Sequence, residues 1–213
     1  MNDFYNIGKD LTDKVYRHRY DRFYPMFLEP LRTQKFNMLE IGINEGGSLE
    51  TWEQYFPKAS IYGVDINSEW ESDRCITYKF DQSNPEDLKE IVKTIPKCKF
   101  IIDDGSHHPY HQFITFIELF ENLLENGGVY IIEDIECNYW KPNSSIYGYK
   151  VGYFNLIDYF KNSPDQINSE FSKRKNHLSI STVTFAQNCI IITKQTKEEI
   201  ELTDRSYRFE NQL

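Results

Sequence analysis

The order of its apolar runs constrains this chain more than any other feature. MLEIGI (38–43), SIYGVDI (60–66), ITYKF (76–80), FIIDD (100–104) and VYIIEDI (129–135) are short and bounded by polar residues, which reads as five buried strands. Between them, SLETWEQYF (48–56) has helical spacing at Leu49, Trp52 and Phe56, and PEDLKEIVKTI (85–95) places Pro85 in a first turn. PYHQFITFIELFENLLENGG (109–128) reads as a long helix closed by Gly127 and Gly128. Residues 11–33 also read as helix, with apolar Val15, Phe23, Phe27 and Leu31 and an interruption near Pro25; another helix is expected around 153–161. TVTFAQNCIIITKQ (182–195) reads as two strands joined by a tight turn near Gln187–Asn188. Strands alternating with helices imply an α/β fold built on a doubly wound parallel sheet, and a closing hairpin makes the last strand antiparallel. Ligands of such sheets bind beyond the carboxyl ends of the strands.

A chain of 213 residues without repeats or long linkers is expected to form one domain over 1–213, with an N-terminal helical segment (1–35) ahead of a Rossmann-like core (36–195). With 39 % apolar and 27 % charged residues it is neither collagen-like nor disordered, and no apolar run is long enough for a membrane helix. The first residues, MNDFYNIGKDLTDK, lack the apolar stretch of a secretory signal, so a cytoplasmic protein is expected. Against 33 acidic residues stand 24 basic ones, a net charge of −9, which disfavours a nucleic-acid partner. Cys75, Cys98, Cys137 and Cys189 form no CxxC pair and read as reduced thiols.

Polar residues collect where the strand ends predict a ligand. After the first strand, Glu40, Gly42, Gly46, Gly47 and Ser48 make a turn that lets backbone approach a ligand and opens a helix N-terminus, although such a turn also serves plain chain reversal. Asp65 ends the second strand at a distance from the glycines that suits two ribose hydroxyls; capping the next loop is the alternative. Asp81 and Gln82 end the third strand, where an adenine edge would lie. The fourth strand ends Asp103-Asp104-Gly105-Ser106-His107-His108 and the fifth Glu133-Asp134. Adjacent acids on a strand point to opposite faces and so serve different ligands. Carboxylates converging at neighbouring strand ends repel one another unless a cation joins them, and an all-oxygen set favours Mg²⁺, Mn²⁺ or Ca²⁺. Separate satisfaction by helix N-termini is the alternative. A neutral imidazole in the same turn, His107 or His108, is a natural proton acceptor.

LEIGINEGGSLETWEQYF, IYGVDI, DQSN, FIIDDGSHH and IIEDI, with Thr12-Asp13-Lys14, His18 and Tyr20 upstream, together resemble the class I S-adenosylmethionine-dependent methyltransferases. Within that class the chain resembles the metal-dependent sugar O-methyltransferases of macrolide and related glycoside tailoring, the mycinamicin 2''-O-methyltransferase-like group, over roughly residues 10–195. The resemblance implies a seven-stranded mixed sheet of order 3-2-1-4-5-7-6 with strand seven antiparallel. It implies that Thr12, Lys14, Glu40, Gly42, Gly46 and Ser48 belong to the cofactor site, that Asp65 holds the ribose, that Asp81 and Gln82 lie at the adenine, and that Asp103 lies near the methionine portion. Asp104, Glu133 and Asp134 would bind Mg²⁺ or Mn²⁺, and His107 would be the general base. The larger relatives' extra N-terminal domain is expected to be absent, and the acceptor-side segment, about 136–180, is short.

The expected function is thus S-adenosylmethionine- and divalent-metal-dependent O-methylation of a sugar hydroxyl, on a nucleotide-activated sugar or a surface-glycan precursor. A non-catalytic adenosyl-cofactor-fold binding protein and a metal-dependent hydrolase use the same residues; the hydrolase would not bind S-adenosylmethionine. A homo-oligomer is left open.

Overall fold

A computed structural model describes residues 2–67, 69–172 and 178–204. Seven strands form the central sheet: β1 (Asn37–Ile41), β2 (Ser60–Asp65), β3 (Cys75–Lys79), β4 (Cys98–Asp103), β5 (Leu124–Glu133), β6 (Ile180–Ala186) and β7 (Cys189–Lys194). Their order is 3-2-1-4-5-7-6. The first five run parallel, and β7 is antiparallel to both β5 and β6. This is the class I methyltransferase topology. The expected ends of the chain, residues 1 and 205–213, and residues 173–177 of the acceptor-side segment lie outside the described residues.

Strand parity divides the core into two layers. Leu39, Ile41, Ile101, Tyr130, Ile132, Ile190 and Ile192 face α5 (Pro85–Thr94), α6 (Pro109–Asn122) and α7 (Leu156–Phe160). Met38, Ile61, Phe100, Ile102, Val129, Ile131 and Ile191 face α4 (Gly47–Tyr55) and the N-terminal segment. Buried on both sides, the central strands need no alternation of apolar and polar residues, which is why they appear as continuous apolar runs.

Two local expectations are corrected. Residues 11–33 are not one helix. After α1 (Asp3–Gly8) come two short pieces, α2 (Asp13–Tyr16) and α3 (Tyr24–Leu28), with a single turn at Tyr20–Arg22 between them and another at Glu29–Leu31 after α3. Arg19, in the left-handed region at φ 59°, precedes the first of these turns, and Pro25 and Pro30 open the following pieces. The long helix over 109–128 ends at Asn122. The chain passes straight into β5, and Gly127 and Gly128 lie inside that strand, where the β4–β5 register shifts. No described helix is long and apolar enough to cross a membrane, and all four cysteines are free and buried.

Candidate active site

Register brings three acids to one face. Glu40 pairs with Ile102 across β1–β4, and Ile102 pairs with Ile131 across β4–β5. Asp104 and Glu133 follow two residues beyond Ile102 and Ile131, so all three side chains share the face covered by the N-terminal segment. Lys14, the second residue of α2, meets them there. Its ammonium lies 3.2 Å from Glu40 Oε1, donates to Glu133 Oε2 at 2.7 Å, and donates to Asp104 Oδ2. Burial works against the Lys14 charge, but Asp104, Glu133 and Glu40 outweigh it and raise its pKa well above the ordinary lysine value.

Glu40 is completely buried. Ser48 Oγ and Trp52 Nε1 both donate to its Oε2, at 2.9 and 3.1 Å, and burial pushes its pKa up to about 6. Glu133 is held from its other side by the Tyr24 hydroxyl, and burial raises its pKa well above the usual range. Asp103, one residue from Asp104, points to the opposite face as parity requires. Gln82 Nε2 donates to both its oxygens at 2.7 and 2.8 Å, while Gln82 Oε1 accepts from the Ser106 amide at 2.8 Å. Burial raises Asp103 to about 7.

Two backbone conformations then redirect side chains toward Asp104. His107 and Asp134 both adopt left-handed φ, 55° and 50°, a conformation costly for residues other than glycine and concentrated at functional sites. His107 Nε2 stands 3.1 Å from Asp104 Oδ1 and 3.7 Å from Asp134 Oδ2. Tyr20 Oη and Asn188 Nδ2 each donate to Asp134 Oδ1 at 2.8 Å, so Oδ2 is the oxygen turned to the imidazole. Asp104, His107 and Asp134 offer ligand atoms within 4.8 Å of one another, a spacing that accepts a cation. Burial opposes charge on His107, but Asp104 and then Asp134 raise its pKa to about 9.

The cavity in front of this cluster has a volume of about 710 Å³, within the range of small-molecule sites. Thr12, Lys14, Gly42, Ser48, Asp65, Asp81, Gln82, Asp104, His107 and Asp134 line it. Gly42 sits at φ 84°, and a Cβ there would strike the Asp104 carbonyl, so only glycine lets the loop close on β4. Gly46, at φ 83°, caps α4. Asp65 Oδ2 accepts from the Ile43 and Asn44 amides at 3.0 and 3.3 Å and thereby ties β2 to the glycine turn. Thr12 caps α2, its hydroxyl accepting from the Lys14 amide at 3.3 Å.

Not every expected residue reaches the cavity surface. Glu40, Gly46, Asp103 and Glu133 do not line the cavity. Glu40 and Glu133 are turned to Lys14, and Asp103 is turned to Gln82. The three-residue cation cluster contains His107 in the place expected for Glu133. His108 Nε2 lies 3.0 Å from the Lys150 carbonyl and fastens a small hairpin, Ser145–Ile146 with Tyr149–Lys150, over the cavity. Its tip residue Tyr147 stands edge-on to His107 with ring centroids 5.5 Å apart. Sequence reasoning gave no role to Tyr20, Tyr24, Asn188 or Tyr147. Three of these hold carboxylates from far along the chain, and no spacing rule links them.

No family model matches the chain. It is 34 % identical over 145 residues to the 8-demethyl-8-alpha-L-rhamnosyl tetracenomycin-C 2'-O-methyltransferase of Streptomyces olivaceus, covering 64 % of this chain and 38 % of that protein. It is 35 % identical over 132 residues to the mycinamicin VI 2''-O-methyltransferase of Micromonospora griseorubida, covering 58 % and 33 % respectively. The matches thus span little more than a third of these relatives' length. Among solved structures, the MycE methyltransferase from the mycinamycin biosynthetic pathway, in complex with Mg, SAH and mycinamycin VI, superposes with a TM-score of 0.80 at 26 % identity, over 93 % of this chain and 55 % of that one. The chain has the class I methyltransferase fold, and in sequence and structure alike it resembles the sugar O-methyltransferases.

Proposed function

We propose that this protein transfers a methyl group from S-adenosylmethionine to a sugar hydroxyl with the help of a divalent cation. The observation that carries the reading is the meeting of Asp104, Asp134 and His107 in the lining of a cavity that the glycine turn at Gly42 and the end of β2 at Asp65 also line. The similar MycE structure, which holds Mg and SAH, supports it.

In this reading the cofactor lies along the ends of β1 to β3. Asp65 takes the ribose hydroxyls, Gly42, Gly46 and Ser48 shape the turn beside the methionine portion, and Asp81 and Gln82 border the adenine. Glu40 and Asp103 support that site from behind, Glu40 by fixing Ser48 and Asp103 by fixing Gln82. Thr12 closes one side of it.

The donor set fits a hard divalent cation. Asp104 and Asp134 bring oxygens within 4.8 Å of one another, and Glu133 stands behind them on Lys14. When bound there, Mg²⁺ or Mn²⁺ would lower the pKa of an acceptor hydroxyl and orient it. The chain's own residues do the rest. Tyr20 and Asn188 hold Asp134 in its direction. His107 stands between Asp104 and Asp134, whose charges raise its pKa to about 9; a cation held by those two carboxylates would offset that charge, and the neutral imidazole accepts the proton of the reacting hydroxyl at Nε2. Mg²⁺ and Mn²⁺ prefer oxygen ligands, which leaves the His107 imidazole to the acceptor. The S–CH₃ bond needs only alignment with that oxygen, and Tyr147 and Tyr149 on the hairpin offer rings against which an acceptor sugar can lie.

The acceptor class in this proposal is a nucleotide-activated sugar or a surface-glycan precursor, in a cytoplasmic setting, with no nucleic-acid partner and with residues 1–213 acting as one domain. Incubation with S-adenosylmethionine, Mg²⁺ and a panel of nucleotide sugars and glycosides tests it. A one-methyl mass gain on a sugar that disappears with chelator is expected. Hydrolysis of a substrate without S-adenosylmethionine would point to the hydrolase reading instead.

A further inference from the structure

The carboxylate cluster contains a cation of its own. Lys14 is 1 % exposed, and its ammonium touches three acids from three neighbouring strands. Lys14 and Asp104 line the cavity, while Glu40 and Glu133, the lysine's other acid partners, lie behind them. The lysine is carried there by a four-residue helix whose start is fixed by the Thr12 side chain. Burying a lysine this deeply is costly unless its charge is needed by its neighbours. Here Glu40, Asp104, Glu133 and Asp134 bring four carboxylates together, and Lys14 is the fixed cation among them.

We propose that Lys14 is a built-in counter-ion of this site, which sets how tightly a divalent cation is held beside Asp104 and Asp134. The inference rests on the metal-dependent reading given above. Lys14 is a positioning residue. By bonding Asp104 Oδ2 it leaves Oδ1 facing His107, and by bonding Glu133 Oε2 it draws that carboxylate back from the cavity. Its positive charge, a few ångströms from the cation position, weakens divalent binding and makes the ion exchangeable. It also keeps the three acids from repelling one another before an ion arrives.

Two charge changes of opposite sign test this without any acceptor. Mn²⁺ is titrated calorimetrically into metal-free parent protein, Lys14→Met and Glu40→Gln at pH 8, and each is melted with chelator and with saturating Mn²⁺. Lys14→Met is expected to bind Mn²⁺ at least about tenfold more tightly than the parent and to melt lower in chelator, with Mn²⁺ recovering more of its melting temperature than it adds to the parent. Glu40→Gln, which leaves Lys14 with one acid fewer, is expected to bind Mn²⁺ more weakly. A general loss of structure would weaken binding in both variants, so tightening in Lys14→Met is the distinguishing sign. If Lys14→Met does not fold, Glu40→Gln decides alone: equal or tighter binding overturns the proposal. Parent binding with an unchanged or weaker Lys14→Met overturns the counter-ion role and leaves the metal reading standing. Binding by Lys14→Met but not by the parent supports the counter-ion role and overturns the metal reading for the native chain. No binding by either overturns both.

Discussion

Tyr20 donates its hydroxyl hydrogen to Asp134 Oδ1 at 2.8 Å, across 114 residues of chain, and so decides which oxygen of Asp134 faces His107. The tyrosine ring is completely buried, stacked between His18 and Tyr24 with centroids 5.3 Å from each. Removing the hydroxyl frees Asp134 to rotate. Tyr20→Phe is expected to weaken Mn²⁺ binding by about 10–100-fold, the usual effect of losing a partner behind a metal-binding carboxylate. Calorimetry on the metal-free variant measures it, and unchanged affinity would mean that Asn188 alone orients Asp134.

Asp65 both pins the Ile43–Asn44 backbone and lines the cavity. Asp65→Ala is expected to weaken S-adenosylmethionine by at least tenfold, since charge-assisted hydrogen bonds contribute about 1.5–3 kcal/mol each. Asp65→Asn, which keeps an acceptor for the two amides, should lose less. Equal affinity of all three proteins in a binding titration would remove Asp65 from the ribose.

The two adjacent histidines are expected to separate kinetically. His107→Ala should lower kcat by about 10²–10⁴-fold with cofactor affinity nearly intact, the range of a lost general base. His108 faces the Lys150 carbonyl and holds the hairpin that carries Tyr147, so His108→Ala should act mainly by raising KM for the acceptor. Steady-state kinetics on both variants check the pair. A large fall in kcat confined to His108→Ala would transfer the base to that residue.

His111 bonds Ser106 at 3.0 Å, which steadies the turn between Asp104 and His107. Burial, helped by His108, lowers its pKa to about 4. The unfolded chain, with histidine near the ordinary 6.5, therefore binds this proton more readily than the folded one. Its contribution to stability is complete above pH 6.5 and is lost as pH falls from there toward 4. Denaturant melts at pH 7 and pH 5 should show a larger loss for the parent than for His111→Gln. Equal losses would show that the imidazole does not titrate differently on folding.

Much of this site can be read from the strand ends, and parity explains why. Apolar runs locate β1, β2, β4 and β5, and the two-residue period of a strand alone separates Asp103 from Asp104. The pattern is silent about what meets those acids. Lys14 lies 90 residues from Asp104 and 119 from Glu133, and Tyr24 lies 109 from Glu133. Short helical pieces with proline and a left-handed Arg19 bring them in, and such a path leaves no periodic signal. The left-handed turns at His107 and Asp134 are equally hidden, since neither residue is a glycine. They explain why His107 entered the cation cluster, while Lys14 and Tyr24 hold Glu133 out of it.

S-adenosylhomocysteine titrated into chelator-treated protein, and again after adding Mg²⁺, separates an adenosyl cofactor bound at Gly42 and Asp65 from a cation held at Asp104 and Asp134. One molecule is expected to bind per chain in both titrations, with similar affinity and with the binding weakened by Asp65→Ala. Absence of binding in both titrations would rule out an adenosyl cofactor at this site.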